Sequence, residues 1–347
     1  MNDSAMQLLY TALGQNSKPA LWVLDEHSES DIPKGFTQLR ALSNRIDTAR
    51  ALRQSGYDCE LSDFEFLEDS AFERLYYRVS KEKAVVHHVI NQALSALPLG
   101  GELCLFGFKN DGLKTYGKKA ALCVGDQLDL SKGADNALQA RIIKRKKVIE
   151  PLPDQDYQQV RAVSALAHGE LAGQSKPGIF GWQKIDRGSA LLVSTLPTFL
   201  AGFVSPPQTV VDLGCGYGYL SLMFKAQATG VVAEIIATDN SITALKACAA
   251  NLPEAQSLLA DAGDSLANNC ADAVLCNPPF HSGFDHDKSL TEKFLKSALR
   301  LLKPKGRALF VVNQHIGIEQ RAGQIGFRCE RYLQQDGFKV LCLIPAK

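Results

Sequence analysis

The chain lacks most of the features that would announce a special environment. Its 347 residues contain no Cys-x-x-Cys pair, and the nine cysteines lie scattered. That excludes a disulfide scaffold or a zinc ribbon and points to the reduced thiols of a cytosol. No apolar run reaches the length of a bilayer span. The opening "MNDSAMQLLYTALG" has no basic stretch leading into a long apolar core, so no leader is expected and the protein is read as cytoplasmic, away from membranes. Charge of one sign is also missing: the formal net charge is +1. Any affinity for nucleic acid must then come from local patches. His281 and His286 have no third ligand at metal spacing, and no metal site is expected.

What is present fits two domains, each long enough to bury a core. A boundary suggests itself at "RIIKRKKVIEPLPDQDYQQV" (Arg141–Val160), where a basic cluster meets two prolines and a polar run. The division is placed at 1–157 and 158–347. Downstream, strand and helix alternate. Strands are expected at "TVVDLG" (Thr209–Gly214), "AEIIATD" (Ala233–Asp239), "SLLAD" (Ser257–Asp261), "DAVLCN" and "GRALFVVN", with a hairpin around Asp336-Gly337. Helices are expected at "YLSLMFKAQ", at "SITALKACAANL" with Ser241 as N-cap, and at "SLTEKFLKSALRLL". The pattern predicts an α/β fold, a doubly wound, mostly parallel sheet of seven strands closed by an antiparallel hairpin.

The N-terminal half repeats this rhythm faintly, with strands at "PALWVLD", "RLYYRVS" and "GELCLFGF". "ALSALPLGGELCLFGF" (Ala93–Phe108) echoes "ALRLLKPKGRALFVV" (Ala298–Val312): helix, Pro-Gly turn, apolar strand. If the echo is a duplication, the first half is a second copy of the fold. Its "VLDEHSES" carries no glycine-rich loop, so that copy would be non-catalytic.

The chemistry sits downstream. "VVDLGCGYGYL" puts Asp212 near a strand end and Gly214, Gly216 and Gly218 in the turn to a helix. Glycine permits the sharp turn and lets a ligand touch main chain. Tyr219 stands where a dehydrogenase GxGxxG fingerprint would need glycine, and D-x-G-x-G-x-G is the form of an S-adenosylmethionine site. Asp212 would then accept from the ammonium of the ligand. Asp239, at the second strand tip beside Asn240, would accept both ribose hydroxyls, and Asp261, beside Ala262, the adenine amino group. A single such acid is more simply a solvated strand end; three at successive tips with the glycine turn point to a nucleoside cofactor.

"AVLCNPPFHSGF" (Ala273–Phe284) ends a buried strand near Cys276, because proline cannot donate to a ladder. An amino group conjugated to a ring is a poor nucleophile. The Asn277 side-chain oxygen and the Pro278 carbonyl can each accept one of its hydrogens and aim the lone pair, while Phe280 offers a stacking face worth about 1–3 kcal/mol. Cys276 reads as a buried strand residue rather than a nucleophile.

Together "DLGCGYG", "ATD", "LLAD" and "CNPPFHSGF" resemble class I S-adenosylmethionine methyltransferases acting on exocyclic amines. With "PGIFGWQKIDRGSALLVSTLP" (Pro177–Pro197), the chain is similar to bacterial ribosomal RNA guanine-N2 methyltransferases, above all the small-subunit, RsmC-like branch. The resemblance implies two Rossmann-like methyltransferase domains, the first degenerate and serving stability and RNA docking. It also implies Phe180, Asp186 and Gly188 as pocket residues around the methionine end of the cofactor, which Asn277 adjoins. The implied activity is methyl transfer to N2 of one guanine in 16S rRNA, with rRNA of the small ribosomal subunit as partner, no DNA, and a monomeric enzyme.

The large-subunit sibling shares NPPFH, so 23S rRNA remains an alternative substrate. A DNA adenine or protein glutamine methyltransferase also uses Asn-Pro-Pro with an aromatic, usually Tyr, and Phe280 and the Gly178–Leu192 segment argue against both. A non-enzymatic assembly factor with a vestigial site is opposed by the intact glycines, Asp239 and Asn277. Lys144–Lys147 and "KPKGR" (Lys303–Arg307) are the basic patches available to RNA, though by base rate both read rather as solvated surface.

Overall fold

The computed structural model describes residues 3–26, 32–36, 38–66, 72–166, 173–228, 234–279 and 283–346. The chain divides into two compact units, Met1–Gln159 and Val160–Lys347. In the first, α1 (Ser4–Gly14), β1 (Ala20–Leu24), β2 (Leu39–Ser43), α2 (Ile46–Gln54), β3 (Asp58–Leu61), β4 (Arg74–Arg78), α3 (Lys83–Ala96), β5 (Glu102–Gly107), α4 (Leu113–Val124), β6 (Asp129–Lys132) and β7 (Leu138–Ile143) follow in order. In the second come β8 (Arg161–Ala162), β9 (Gln174–Ser175), α5 (Arg187–Ser194), α6 (Leu196–Ala201), β10 (Thr209–Leu213), α7 (Tyr219–Gln227), β11 (Glu234–Asp239), α8 (Ile242–Asn251), β12 (Gln256–Leu259), β13 (Ala271–Cys276), α9 (Gly283–Leu301), β14 (Leu302–Asn313), α10 (Ile318–Ile325), β15 (Phe327–Gln335) and β16 (Phe338–Pro345).

Each unit is built on a seven-stranded sheet, ordered β3-β2-β1-β4-β5-β7-β6 in one and β12-β11-β10-β13-β14-β16-β15 in the other. The two orders are the same when each seven-stranded sheet's strands are counted from its own first, β1 in one and β10 in the other. Five strands run parallel and the last two join antiparallel. Strands such as "ALWVL" and "ELCLFG" are buried at every position because helices cover both faces, which is why they read as unbroken apolar runs. The expected doubly wound fold is therefore present twice. In both sheets the order reverses beside the first strand, and that reversal opens a crevice outside the carboxyl ends of the strands.

In the first unit that place is tied across. Tyr77 Oη donates to Asp25 Oδ2 at 2.7 Å, and Ser80 Oγ donates to Glu26 Oε1 at 3.0 Å, joining the tips of β1 and β4. The rest of "VLDEHSES" lies outside the described residues.

Two sequence expectations are corrected here. The stretch Arg141–Val160 is not a free linker: Arg141–Ile143 complete β7, and Leu152 and Tyr157 are buried in the first unit's core. Lys144, expected in an RNA-facing patch, is buried and donates its ammonium to Ser95 O and Leu97 O at 3.1 and 2.6 Å. It caps the carbonyls left over at the end of α3, where a cation also meets the negative pole of the helix. Arg145 pairs with Asp126, and in the second patch Lys303 pairs with Asp272 and Arg307 lies over the Phe203 ring. These residues are structural partners before they are RNA contacts.

Candidate active site

Three left-handed glycines shape the turn between β10 and α7. Gly214, Gly216 and Gly218 have φ of +81°, +57° and +87°, a region that costs other residues about 1–2 kcal/mol. Their reasons differ. A Cβ on Gly218 would sit 3.0 Å from Cys248 Sγ, so that glycine serves the packing of α7 on α8. Among the described residues a Cβ on Gly216 would meet only Ile179, at 3.9 Å, so nothing described there crowds the turn. Gly214 N and Cys215 N both donate to Thr238 O at 2.9 Å, locking the turn to the end of β11.

Asp239 closes this turn from the neighbouring strand tip. Its Oδ2 accepts from Gly216 N and its Oδ1 from Ser241 N, each at 2.9 Å. The carboxylate is thus held square to the glycine loop. Ser241 caps α8 through Ala244 N, as expected.

Asp212 departs from its expected role. It is fully buried; Oδ2 accepts from Ser221 N at 3.1 Å and Ser221 Oγ at 2.7 Å, and Oδ1 has no partner among the described residues. A sheet covered on both faces turns an acid one residue before the strand end inward, so Asp212 holds the first turn of α7 rather than standing at the surface for an ammonium group. Its orphaned Oδ1 is an acceptor in reserve beneath the turn.

Burial pushes the Asp212 carboxyl up to about 6 from 3.8, against the lowering effect of the Ser221 bonds. The folded state thus binds a proton more tightly than the unfolded chain, so stability falls as pH rises from about 4 through 6. Asp212→Asn keeps an oxygen for Ser221 and removes that fall. We expect the variant to gain up to about 3 kcal/mol over the wild type at pH 8 and nothing at pH 4. Denaturant titration at the two pH values checks this; equal stability at both would show the burial cost to be absent.

At the third tip, β12 ends at Leu259, two residues before the expected end. Asp261 opens a short turn in which Ala262 is left-handed at φ +49°, and its carboxylate is ion-paired with Lys293. A ligand amino group would therefore share Asp261 with that ammonium. Asn240 follows Asp239 in the bend before α8, partly buried.

β13 ends at Cys276, as the double proline requires. Cys276 is fully buried and its thiol is pushed well above the usual range by that burial, which suits a strand residue and not a nucleophile. Asn277 is half-buried and Pro278 buried. Phe280 and His281 lie outside the described residues.

Asn277 meets the segment that precedes the sheet. Asp186 is the N-cap of α5, its Oδ2 accepting from Ser189 N at 2.8 Å. The same Oδ2 accepts from Asn277 Nδ2 at 3.0 Å, and Ser189 Oγ accepts from Asn277 Nδ2 at 2.8 Å. An ionised carboxylate only accepts, so the nitrogen of the carboxamide must face Asp186. The amide oxygen is left pointing away, and no donor among the described residues takes it. Gly188 lies in the same first turn, where a Cβ would press on Asp186 Oδ2 and the Phe338 ring at 3.1 Å. Phe180 leaves 57% of its surface exposed, unusual for that side chain.

Around the glycine turn, Asn251 Nδ2 donates to Gln174 O and Tyr217 O, binding β9 to the loop. The turn, Asp239 and Asn251 thus form one assembly, while Asp186, Gly188 and Asn277 form another at the tip of the adjacent strand. Ser189, Ser221, Thr238 and Asn251 were not anticipated. For Ser189 a signal existed: "DRGS" before an apolar helix is the spacing of a cap and the third residue it binds.

The chain is similar to known proteins over most of its length. Residues 170–342 match the methyltransferase small domain family. The chain is 30% identical over 270 residues to the ribosomal RNA small subunit methyltransferase C of Pseudomonas aeruginosa (strain UCBPP-PA14), covering 75% of each. It is 34% identical over 171 residues to the ribosomal RNA large subunit methyltransferase G of Magnetococcus marinus, covering 48% of this chain and 44% of that one. The solved T. thermophilus 16S rRNA N2 G1207 methyltransferase (RsmC), in complex with AdoMet and guanosine, superposes with a TM-score of 0.79 at 23% identity, covering 98% of this chain and 92% of that one.

Proposed function

The chain belongs to the ribosomal RNA small subunit methyltransferase C family, and from that premise we propose that it transfers a methyl group from S-adenosylmethionine to the exocyclic N2 of one guanine in 16S rRNA. The observation that carries the chemistry is the Asn277 carboxamide, whose two N–H bonds are consumed by Asp186 and Ser189 so that its oxygen is offered outward.

The residues of the crevice suit this cofactor. Asp239 would hold the ribose hydroxyls, the main chain over Gly216 would lie against the ligand, and Asp261 with Ala262 would border the adenine. Asp186, Gly188 and Phe180 would border the methionine end, and Asp212, through Gly214 to Gly218, would hold the turn in shape. S-adenosylmethionine supplies a methyl group on a sulfonium whose charge disappears on transfer.

The protein's part is alignment. The N2 amine of guanine is conjugated to the ring and its lone pair is delocalised. Asn277 Oδ1 and Pro278 O accept one hydrogen each, draw the nitrogen toward a tetrahedral shape and turn the lone pair out of the ring plane. Phe280 would stack on the base. Neither acceptor is a base, so the proton lost from nitrogen passes to water.

Residues 158–347 act as the catalytic domain in this reading. Residues 1–157 act as a degenerate copy that stabilises the protein and docks RNA, supported by the tied strand tips at Tyr77 and Ser80. The enzyme works as a cytoplasmic monomer on the small ribosomal subunit. Among the described residues no helix is long and apolar enough to cross a membrane.

Incubation with labelled methyl donor and, separately, small and large subunits from a strain lacking the protein tests the reading. Label on one guanine N2 of 16S rRNA is expected. Label in 23S rRNA alone would move the protein to the large-subunit branch. No label, with no heat on titrating S-adenosylmethionine, would mark an assembly factor.

A further inference from the structure

We propose that Ser189 is a positioning residue for Asn277, fixing which end of the carboxamide the substrate amine meets; this rests on the function proposed above. A carboxamide is nearly symmetrical in shape, and a half-turn about its last torsion exchanges acceptor and donor. In one orientation Asn277 receives an N–H from the substrate. In the other it points its own N–H groups at the substrate and repels it.

The structure resolves that choice with a closed ring of three hydrogen bonds. Ser189 N donates to Asp186 Oδ2 at 2.8 Å, Asn277 Nδ2 donates to the same Oδ2 at 3.0 Å, and Asn277 Nδ2 donates to Ser189 Oγ at 2.8 Å. The two N–H bonds of the amide are both used. A flipped amide would set its oxygen against the Asp186 carboxylate at the same spacing, with no proton between them. Asp186 therefore selects the orientation, and Ser189 holds the plane of the amide at a second point. One acceptor alone leaves the group free to rock about a single bond; two acceptors define a plane.

Ser189 is suited to the task because it is anchored twice. Its backbone N–H belongs to the cap of α5, and the residue is 9% exposed, so water competes poorly for Oγ. Its replacement by alanine leaves the backbone bond to Asp186 in place and substitutes a good helix former. Ser189→Ala thus removes one acceptor from Asn277 and little else.

We expect kcat for labelled-methyl transfer to small subunits to fall about tenfold in Ser189→Ala, the loss of one hydrogen bond of ordinary strength. The affinity for S-adenosylmethionine by calorimetry and the melting temperature should stay near wild type. Ser189→Thr, which retains the hydroxyl, should recover most of the rate. In an Asn277→Ala background the same substitution should have no further effect, because the group it orients is gone.

A wild-type kcat in Ser189→Ala would overturn the inference, as would an undiminished loss in the Asn277→Ala background. Either result leaves methyl transfer by the wild type standing. Failure of the wild type itself to label the subunit would instead overturn the proposed function.

Discussion

Asn277→Ala is expected to lower the methyl-transfer rate by about 10²–10³-fold, the loss seen when one pre-set polar group at a reacting centre is removed. Cofactor affinity should hold, since the ribose and the glycine turn are served by Asp239 and β10, not by the tip of β13. The stub would expose Asp186 Oδ2 and Ser189 Oγ, both able to take water in place of the lost amide, so the fold should tolerate the change. Single-turnover methylation and calorimetry on the same preparation separate the two quantities. A rate within about threefold of wild type would show that the carboxamide does not carry the chemistry.

The second large effect is placed at the cofactor. Asp239→Ala deletes an acceptor that Gly216 N and Ser241 N both use, together with the carboxylate that would take the diol. Hydrogen bonds to a charged group are each worth about 1.5–3 kcal/mol. Loss of the equivalent of two therefore predicts an affinity for S-adenosylmethionine weakened at least about 100-fold. The turn should loosen as well, because Gly216 loses its only partner at that N–H among the described residues. Calorimetric titration measures the change. A dissociation constant moved less than about tenfold would remove Asp239 from the ribose site.

Much of the second unit was legible in advance because its apolar runs are short and sharply punctuated. Thr209–Leu213, Glu234–Asp239 and Ala271–Cys276 each lie between glycine, proline or asparagine breaks, and their ends agree with expectation to within a residue. The crevice followed from topology, since the glycine turn and the double proline stand at the carboxyl ends of adjacent parallel strands.

What stayed hidden was side-chain direction. Nothing in "VVDL" says that Asp212 turns inward; that depends on helices covering both faces of the sheet. Lys144 sits in a run of four basic residues and reads as surface, yet its ammonium finds the spent end of α3. The meeting of Asp186 with Asn277 joins residues on separate elements, and local spacing carries no information about which helix start reaches which strand tip. The sequence similarity had marked both residues, but only coordinates show that one orients the other.

The place of the last strand in each sheet has a consequence for synthesis. β7 is inserted between β5 and β6, so the first sheet has all its members once residue 143 has been made. β16 is likewise inserted, between β14 and β15, but it ends at residue 345. While the polypeptide is being extended, the first unit can close its sheet and shield its edges early. The second carries β14 and then β15 without their shared neighbour until β16 is made, about thirty residues after β14 ends, or roughly two to six seconds at usual translation speeds. The half that bears the reactive crevice is thus the last to close its sheet, and until β16 is in place its edges are open to capture by chaperones or to mispairing with another nascent chain.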